Sequence, residues 1–203
     1  VIKVKICGLT RQQDIDIVNV ALPDYIGFVF AESRRKVLMM QAAAMKQNLD
    51  RRVSAVGVFV NHDPAEIERI AGNGIIELIQ LHGDEDAAYI TCLKKKTGLP
   101  IMKAVRVRCR EQILEAQAMP CEFLLLDTYQ EGAYGGTGKT FDRALIPPLE
   151  KPFFLAGGLN AENIKKALAV RPCGVDISGG VETDGVKDAE KIKEIIRIVR
   201  EEN

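Results

Sequence analysis

Eight short apolar runs, rich in β-branched residues, recur along this chain at residues 2–7, 25–30, 53–60, 75–81, 101–105, 123–127, 153–156 and 175–177. Helical periodicity fills the intervals at 12–21, 38–48, 65–71, 85–96, 110–118, a short 141–146, 161–170 and 188–200. The last of these sets Ile192, Ile195, Ile196 and Val199 on one face, with charges elsewhere. Strands that alternate with helices pair in parallel, because each crossover returns the chain to the same edge. Eight such units can close into a barrel. An open doubly wound sheet usually has fewer strands and often carries G-x-G-x-x-G in its first strand–helix turn. Here that turn reads Cys7-Gly8-Leu9-Thr10-Arg11. The expected fold is α/β, a single (β/α)₈ TIM barrel spanning residues 1–203, with no linker or second domain. A hydrophobic content of 47% is enough for one sizeable core.

Charge narrows the function classes. Lys plus Arg and Asp plus Glu each number 28, so no global field points to nucleic acid or to an anionic membrane. No run approaches the roughly twenty apolar residues needed to span a bilayer. The opening Val-Ile-Lys-Val-Lys reads as a strand rather than a signal peptide, since charge interrupts it. Five cysteines without C-x-x-C, and only two histidines, argue against a disulfide framework or a zinc site. The expected setting is the cytoplasm, with no metal and no cofactor. Oligomeric state is not legible at this stage.

Barrels place their chemistry where strands end and βα loops begin. Two glycine turns follow the last two strands: Gly157-Gly158-Leu159-Asn160, and Ser178-Gly179-Gly180-Val181. Glycine lets backbone N–H groups approach an anion, and the loops after strands seven and eight are a common phosphate site. Gly157, Gly158, Ser178 and Gly179 are therefore expected to bind phosphate. A single such turn would be read as turn-making only. The segment Ala133-Tyr134-Gly135-Gly136-Thr137-Gly138-Lys139-Thr140 nearly fits a P-loop. That motif needs a strand directly before it and a substantial helix directly after. Six residues intervene after Asp127, and Pro147-Pro148 stops the chain soon afterwards, so a glycine-rich lid is the better reading.

A lone cysteine in an apolar strand is ordinarily a small buried hydrophobe. Cys7 shares a strand face with Lys3 and Lys5, and Lys5 would lie about 6–7 Å below it. A cation there would favour the thiolate, which can act as a base. Asp127 closes the run Phe123-Leu124-Leu125-Leu126 and is either a turn-former or a carboxyl facing the mouth. Apolar neighbours would hold its proton more tightly, which suits a general acid. Thiol plus carboxyl makes an acid–base pair without a metal.

The motifs Lys5-Ile6-Cys7-Gly8-Leu9-Thr10, Gly27-Phe28-Val29-Phe30, Gly57-Val58-Phe59-Val60-Asn61 and Gln80-Leu81-His82-Gly83 resemble those of phosphoribosylanthranilate isomerases. Leu125-Leu126-Asp127-Thr128, the run from Gly135 to Phe141, Gly157-Gly158-Leu159-Asn160 and Val175-Asp176-Ile177-Ser178 continue the match in order, over nearly the whole chain. The resemblance implies an isomerase of tryptophan biosynthesis acting on a phosphosugar. Its reaction is an Amadori rearrangement, an internal aldose–ketose change. N-(5′-phosphoribosyl)anthranilate becomes 1-(2-carboxyphenylamino)-1-deoxyribulose 5-phosphate. It implies Asp127 as the general acid on the furanose oxygen and Cys7 as the base at C2′. It also implies Arg35, within Ser33-Arg34-Arg35-Lys36, as the partner of the anthranilate carboxylate, with Arg34 as competitor. His82 and Asp176 are implied as further substrate contacts.

Three positions depart from the family pattern. Ala31-Glu32 replaces a Pro-containing stretch, Arg143 stands where an aromatic is frequent, and Ser178-Gly179-Gly180 replaces the more usual Ser-Ser-Gly. Two other readings remain open on the residues alone. Another phosphosugar isomerase or lyase barrel would favour a carboxylate in place of Cys7 or a lysine acid. A catalytically silent phospho-ligand barrel would keep the glycine turns and need neither Cys7 nor Asp127.

Overall fold

The computed structural model describes residues 1–128 and 141–202. Eight parallel strands close into a ring: β1 (Lys3–Cys7), β2 (Tyr25–Val29), β3 (Ser54–Phe59), β4 (Leu78–Leu81), β5 (Ile101–Val107), β6 (Phe123–Thr128), β7 (Phe153–Leu155) and β8 (Gly174–Ile177). The glycine-rich segment read as a lid lies outside the described residues. Helices α1 (Gln12–Ala21), α2 (Met39–Gln47), α3 (Pro64–Gly72), α4 (Ala87–Thr97) and α5 (Arg110–Gln117) follow the first five strands. Then α6 (Ile164–Leu168) follows β7 and α7 (Ala189–Glu201) follows β8.

Side-chain alternation divides the burial into two layers. Outward residues such as Ile6, Ile26, Phe28, Phe59, Ile79, Leu124, Leu126 and Val175 pack beneath the helices. Inward residues Val56, Leu78, Met102, Ala104, Leu125, Phe154 and Ala156 plug the barrel itself. The register brings Cys7 opposite Gly27, Lys5 opposite Asp176, and Arg106 opposite Asp127. Polar side chains on the same inward positions, above the plug, form the floor of the mouth.

Several boundaries differ from the sequence expectation. Strand β4 begins at Leu78 rather than residue 75, because Gly74 turns the chain at φ +67° and Ile75 and Ile76 are buried in the connection instead. Between residues 141 and 146 there is only a three-residue 3₁₀ turn, Arg143–Leu145, in place of a helix. That also removes the substantial helix a P-loop would need. Helix α6 starts at Ile164, not 161, since Asn160 Oδ1 accepts the N–H groups of Glu162 (3.0 Å) and Asn163 (3.2 Å) and holds them in a turn.

An unanticipated hairpin separates β8 from α7. Strands β9 (Glu182–Thr183) and β10 (Val186–Lys187) pair antiparallel, with Glu182 opposite Lys187. Their two-residue turn, Asp184 (φ +51°) and Gly185 (φ +81°), has the positive φ at both positions that a type I′ turn demands. Asp188 then caps α7, accepting from the N–H groups of Glu190 and Lys191.

Candidate active site

The strand ends surround one cavity of about 730 Å³. Cys7, Asp127, His82, Gln80, Asp176 and Arg35 line it, together with Gly157, Gly158, Ser178, Gly179 and Gly180. An apolar wall comes from Val29, Phe30, Val58 and Val60. All nine residues anticipated as site residues therefore reach one space, although they come from strands or loops β1, β2, β4, β6, β7 and β8.

Cys7 sits at the end of β1 with its thiol over Gly27. A methyl group on Gly27 would lie 2.6 Å from Sγ, so this glycine makes the room the sulfur occupies. The Lys5 ammonium, fully buried, donates to Asp176 Oδ1 at 2.9 Å and also reaches the Cys7 thiol. Burial alone would lower the lysine's pKa, but Asp176 and Cys7 together hold it above the ordinary value. The thiol is under opposed influences, of which the expected pull from Lys5 is one. Burial pushes its pKa up, and although Lys5 pulls it down, the Asp176 carboxylate opposes that pull. The cation is in place, and burial outweighs its pull, so the thiol's pKa lies above the ordinary value.

Asp127 is buried at the end of β6, and its Oδ1 accepts the N–H of Thr128 at 2.7 Å. Its Oδ2 lies 3.2 Å from His82 Nε2, close enough for an ion-pair contact but without hydrogen-bond alignment. His82 Nδ1 is 3.0 Å from the Gln80 amide nitrogen. With that N–H donated to Nδ1, the imidazole proton is assigned to Nε2, facing Asp127. Gln80 Oε1, His82 Nε2 and Thr128 Oγ1 are buried without a hydrogen-bond partner among the described residues. Buried polar atoms left this way have capacity for a polar ligand.

The two glycine turns face each other across the mouth. Gly157 (φ +90°) and Gly158 (φ +60°) take left-handed conformations, and a Cβ on Gly157 would meet Thr128 Oγ1 at 2.2 Å and Asp127 Oδ1 at 2.9 Å. In the second turn the constrained residue is Gly180, whose Cβ would fall 1.8 Å from the Leu159 carbonyl oxygen. Gly179 is open, with only Arg35 Nη2 nearby at 3.5 Å. The backbone N–H of Gly158 makes no backbone hydrogen bond to a described residue. Ser178 Oγ donates to the Cys7 carbonyl at 3.0 Å, which ties this turn to the base-bearing strand.

Arg35 and Arg34 separate cleanly. Arg35 lines the cavity and its side chain is 13% exposed, whereas Arg34 is 61% exposed and is absent from the lining. Both donate to Glu182, a residue that sequence reasoning passed over. The Asp184-Gly185 dipeptide was the available signal, since it marks the hairpin that presents Glu182. Lys187, across the hairpin, donates to the same carboxylate at 2.8 Å and to the Ser178 carbonyl at 3.0 Å. Burial raises the Glu182 carboxyl's pKa, but the Arg35 and Lys187 hydrogen bonds outweigh it and bring it down to about 2. Among the described residues no helix is long and apolar enough to cross a membrane.

The family model described as N-(5′-phosphoribosyl)anthranilate (PRA) isomerase matches residues 4–198. The chain belongs to this isomerase family. A phosphoribosylanthranilate isomerase from Endomicrobium trichonymphae is 47% identical over 199 residues, covering 98% of each chain. Among solved structures, the Thermotoga maritima phosphoribosylanthranilate isomerase superposes with a TM-score of 0.90 at 35% identity, covering 99% of this chain and 100% of that one. Another phosphoribosylanthranilate isomerase, solved in complex with reduced 1-(o-carboxyphenylamino)-1-deoxyribulose 5-phosphate, has a TM-score of 0.83 at 31% identity, covering 99% and 100%. The protein is thus an isomerase of tryptophan biosynthesis whose substrate is N-(5′-phosphoribosyl)anthranilate.

Proposed function

We propose that this barrel performs the Amadori rearrangement with Asp127 as general acid and Cys7 as general base. The observation that carries the proposal is that a buried thiol and a buried carboxyl, on β1 and β6, face one cavity ringed by anion-binding groups. Asp127 delivers a proton to the furanose oxygen as the C1′–O bond breaks. The anthranilate nitrogen supplies its lone pair, giving a protonated Schiff base. That cation acidifies C2′–H, and the Lys5 ammonium beside the sulfur favours the thiolate, the form in which Cys7 enters the cycle. The thiolate takes the C2′ proton. The resulting enolamine gains a proton at C1′ and loses one from the C2′ hydroxyl to give the aminoketose, and exchange with solvent returns Cys7 to the thiolate and Asp127 to the carboxyl for the next cycle.

The remaining groups bind. Gly157, Gly158, Ser178 and Gly179 surround the 5′-phosphate, supported by the Gly158 N–H, which has no hydrogen-bond partner among the described residues. The aromatic ring lies against Val29, Phe30, Val58 and Val60, with its carboxylate toward Arg35. Asp176 and His82 flank the opened sugar. The reduced aminoketose phosphate bound by the solved relative has the same combination of phosphate, polyol and aromatic acid. The test pairs Cys7→Ala with Asp127→Asn. Each should lower kcat by at least about 10²-fold while binding of the reduced aminoketose persists, the signature of lost proton transfer. Near-normal kcat in either variant removes that residue from the mechanism.

A further inference from the structure

Arg35 is held from two sides. Its stem crosses the turn after β1, where a methyl group on Gly8 would strike Arg35 Cδ at 2.3 Å. Its head is clasped by the hairpin after β8. Nε donates to Glu182 Oε1 at 2.7 Å and Nη2 to Oε2 at 2.9 Å, a bidentate fork. Arg34 Nη2 donates to Oε2 at 2.7 Å, and Lys187 Nζ to Oε1 at 2.8 Å. One carboxylate therefore serves three cations and leaves the cluster with excess positive charge at the cavity rim. The fork uses one edge of the Arg35 guanidinium and leaves the other, which carries Nη1, without a hydrogen bond to a described residue.

We propose that Glu182 is a positioning residue that fixes the unused edge of Arg35 toward the substrate's ring carboxylate and thereby sets selectivity for a carboxylate-bearing aromatic. The inference rests on the reading that Arg35 meets that carboxylate. Glu182 itself does not touch the substrate. Arginine's planar fork transmits orientation: when one edge is clamped, the direction of the opposite edge follows, which a flexible lysine ammonium would not do. Arg34 shares the clamp from outside and braces the carboxylate.

Glu182→Ala would also strand the buried Lys187 ammonium, so the informative variants are Glu182→Gln, which keeps the shape, and Glu182→Asp, which keeps the charge near Lys187 but withdraws from Arg35. Each is assayed on phosphoribosylanthranilate and on its N-phenyl analogue lacking the carboxylate, alone and in an Arg35→Met background. The expected result is a KM for phosphoribosylanthranilate raised about tenfold, the scale of losing one charge-assisted hydrogen bond, with kcat within about twofold. KM for the phenyl analogue stays unchanged, and Glu182→Gln adds no further effect once Arg35 is Met. Equal effects on both substrates, or full additivity with Arg35→Met, would overturn the positioning role. If Arg35→Met alone weakens both substrates equally, or relieves inhibition by inorganic phosphate instead, the reading of Arg35 itself fails. That outcome is separable from a failure confined to Glu182.

Discussion

Gly180 and Gly179 are adjacent in sequence and opposite in tolerance, which makes them a sharp probe of the phosphate site. A Cβ at Gly180 would stand 1.8 Å from the Leu159 carbonyl oxygen, a backbone atom that cannot rotate aside. Restoring ordinary contact means parting the loops after β7 and β8 by roughly 1.5 Å. Overpacking of this kind costs about 1–3 kcal/mol in stability. The displacement matters more for function, since a misplacement on the order of 1 Å can cost about 10²-fold in rate. Gly180→Ala should accordingly lower kcat/KM about 10²-fold, chiefly through KM, and weaken inhibition by inorganic phosphate in parallel. At Gly179 a Cβ meets only Arg35 Nη2 at 3.5 Å, and the residue is not among those with positive φ. Gly179→Ser should be accepted. Its hydroxyl can donate to the phosphate, and a net hydrogen bond of about 1 kcal/mol corresponds to roughly a fivefold lower KM. Steady-state kinetics and phosphate inhibition on both variants make the comparison. An unchanged KM in Gly180→Ala, or equal damage from both substitutions, would refute the placement of phosphate between these turns.

Two further expectations follow from buried groups. Alkylation of Cys7 by iodoacetamide, followed by peptide mass spectrometry to separate it from exposed Cys92, should accelerate with pH through a midpoint above the ordinary thiol value of 9.0, because burial raises this thiol. A midpoint below that value would mean that the Lys5 cation outweighs burial. Lys103→Met should destabilise the fold by about 3–5 kcal/mol in denaturant titration, since it strands the buried Glu85 carboxylate and the Gly83 carbonyl that Lys103 Nζ now holds at 3.0 and 2.6 Å. A loss under about 1 kcal/mol would show that the Asn61 and Gly83 N–H groups suffice for Glu85.

The barrel was legible because its signal is periodic and repeated. Each apolar run buried on both faces announces a parallel strand, and eight of them leave few ways to close. Strand ends located the site for the same reason. What escaped were features whose cause is not periodic. Ile75 and Ile76 share the apolar character of β4 yet lie before the strand, because Gly74 determines where the chain turns. Asn160 delays α6 by diverting two N–H groups to its side chain. The expected pull of Lys5 on the Cys7 thiol is present, but the burial that opposes it depends on how the whole barrel packs around β1. Whether Arg34 or Arg35 faces the cavity turned on a single residue of register in a loop. Glu182 looked like any acidic surface residue until the hairpin brought it under three cations.

The ring closes between its first and last strands, and the chemistry straddles that seam. Lys5 is paired with Asp176, and the carbonyl of Cys7 is held by Ser178, in both cases across 171 residues of chain. A growing polypeptide can assemble the phosphate turn after β7 and the acid on β6 while the base still hangs on a strand with one edge unpaired. Competence therefore arrives late in biosynthesis, when β8 docks and fills that edge. A proteolytic or translational loss of the final fifth of the chain would take away Asp176 and Ser178, the partners of Lys5 and of the Cys7 carbonyl, and leave base and lysine on an unsupported strand.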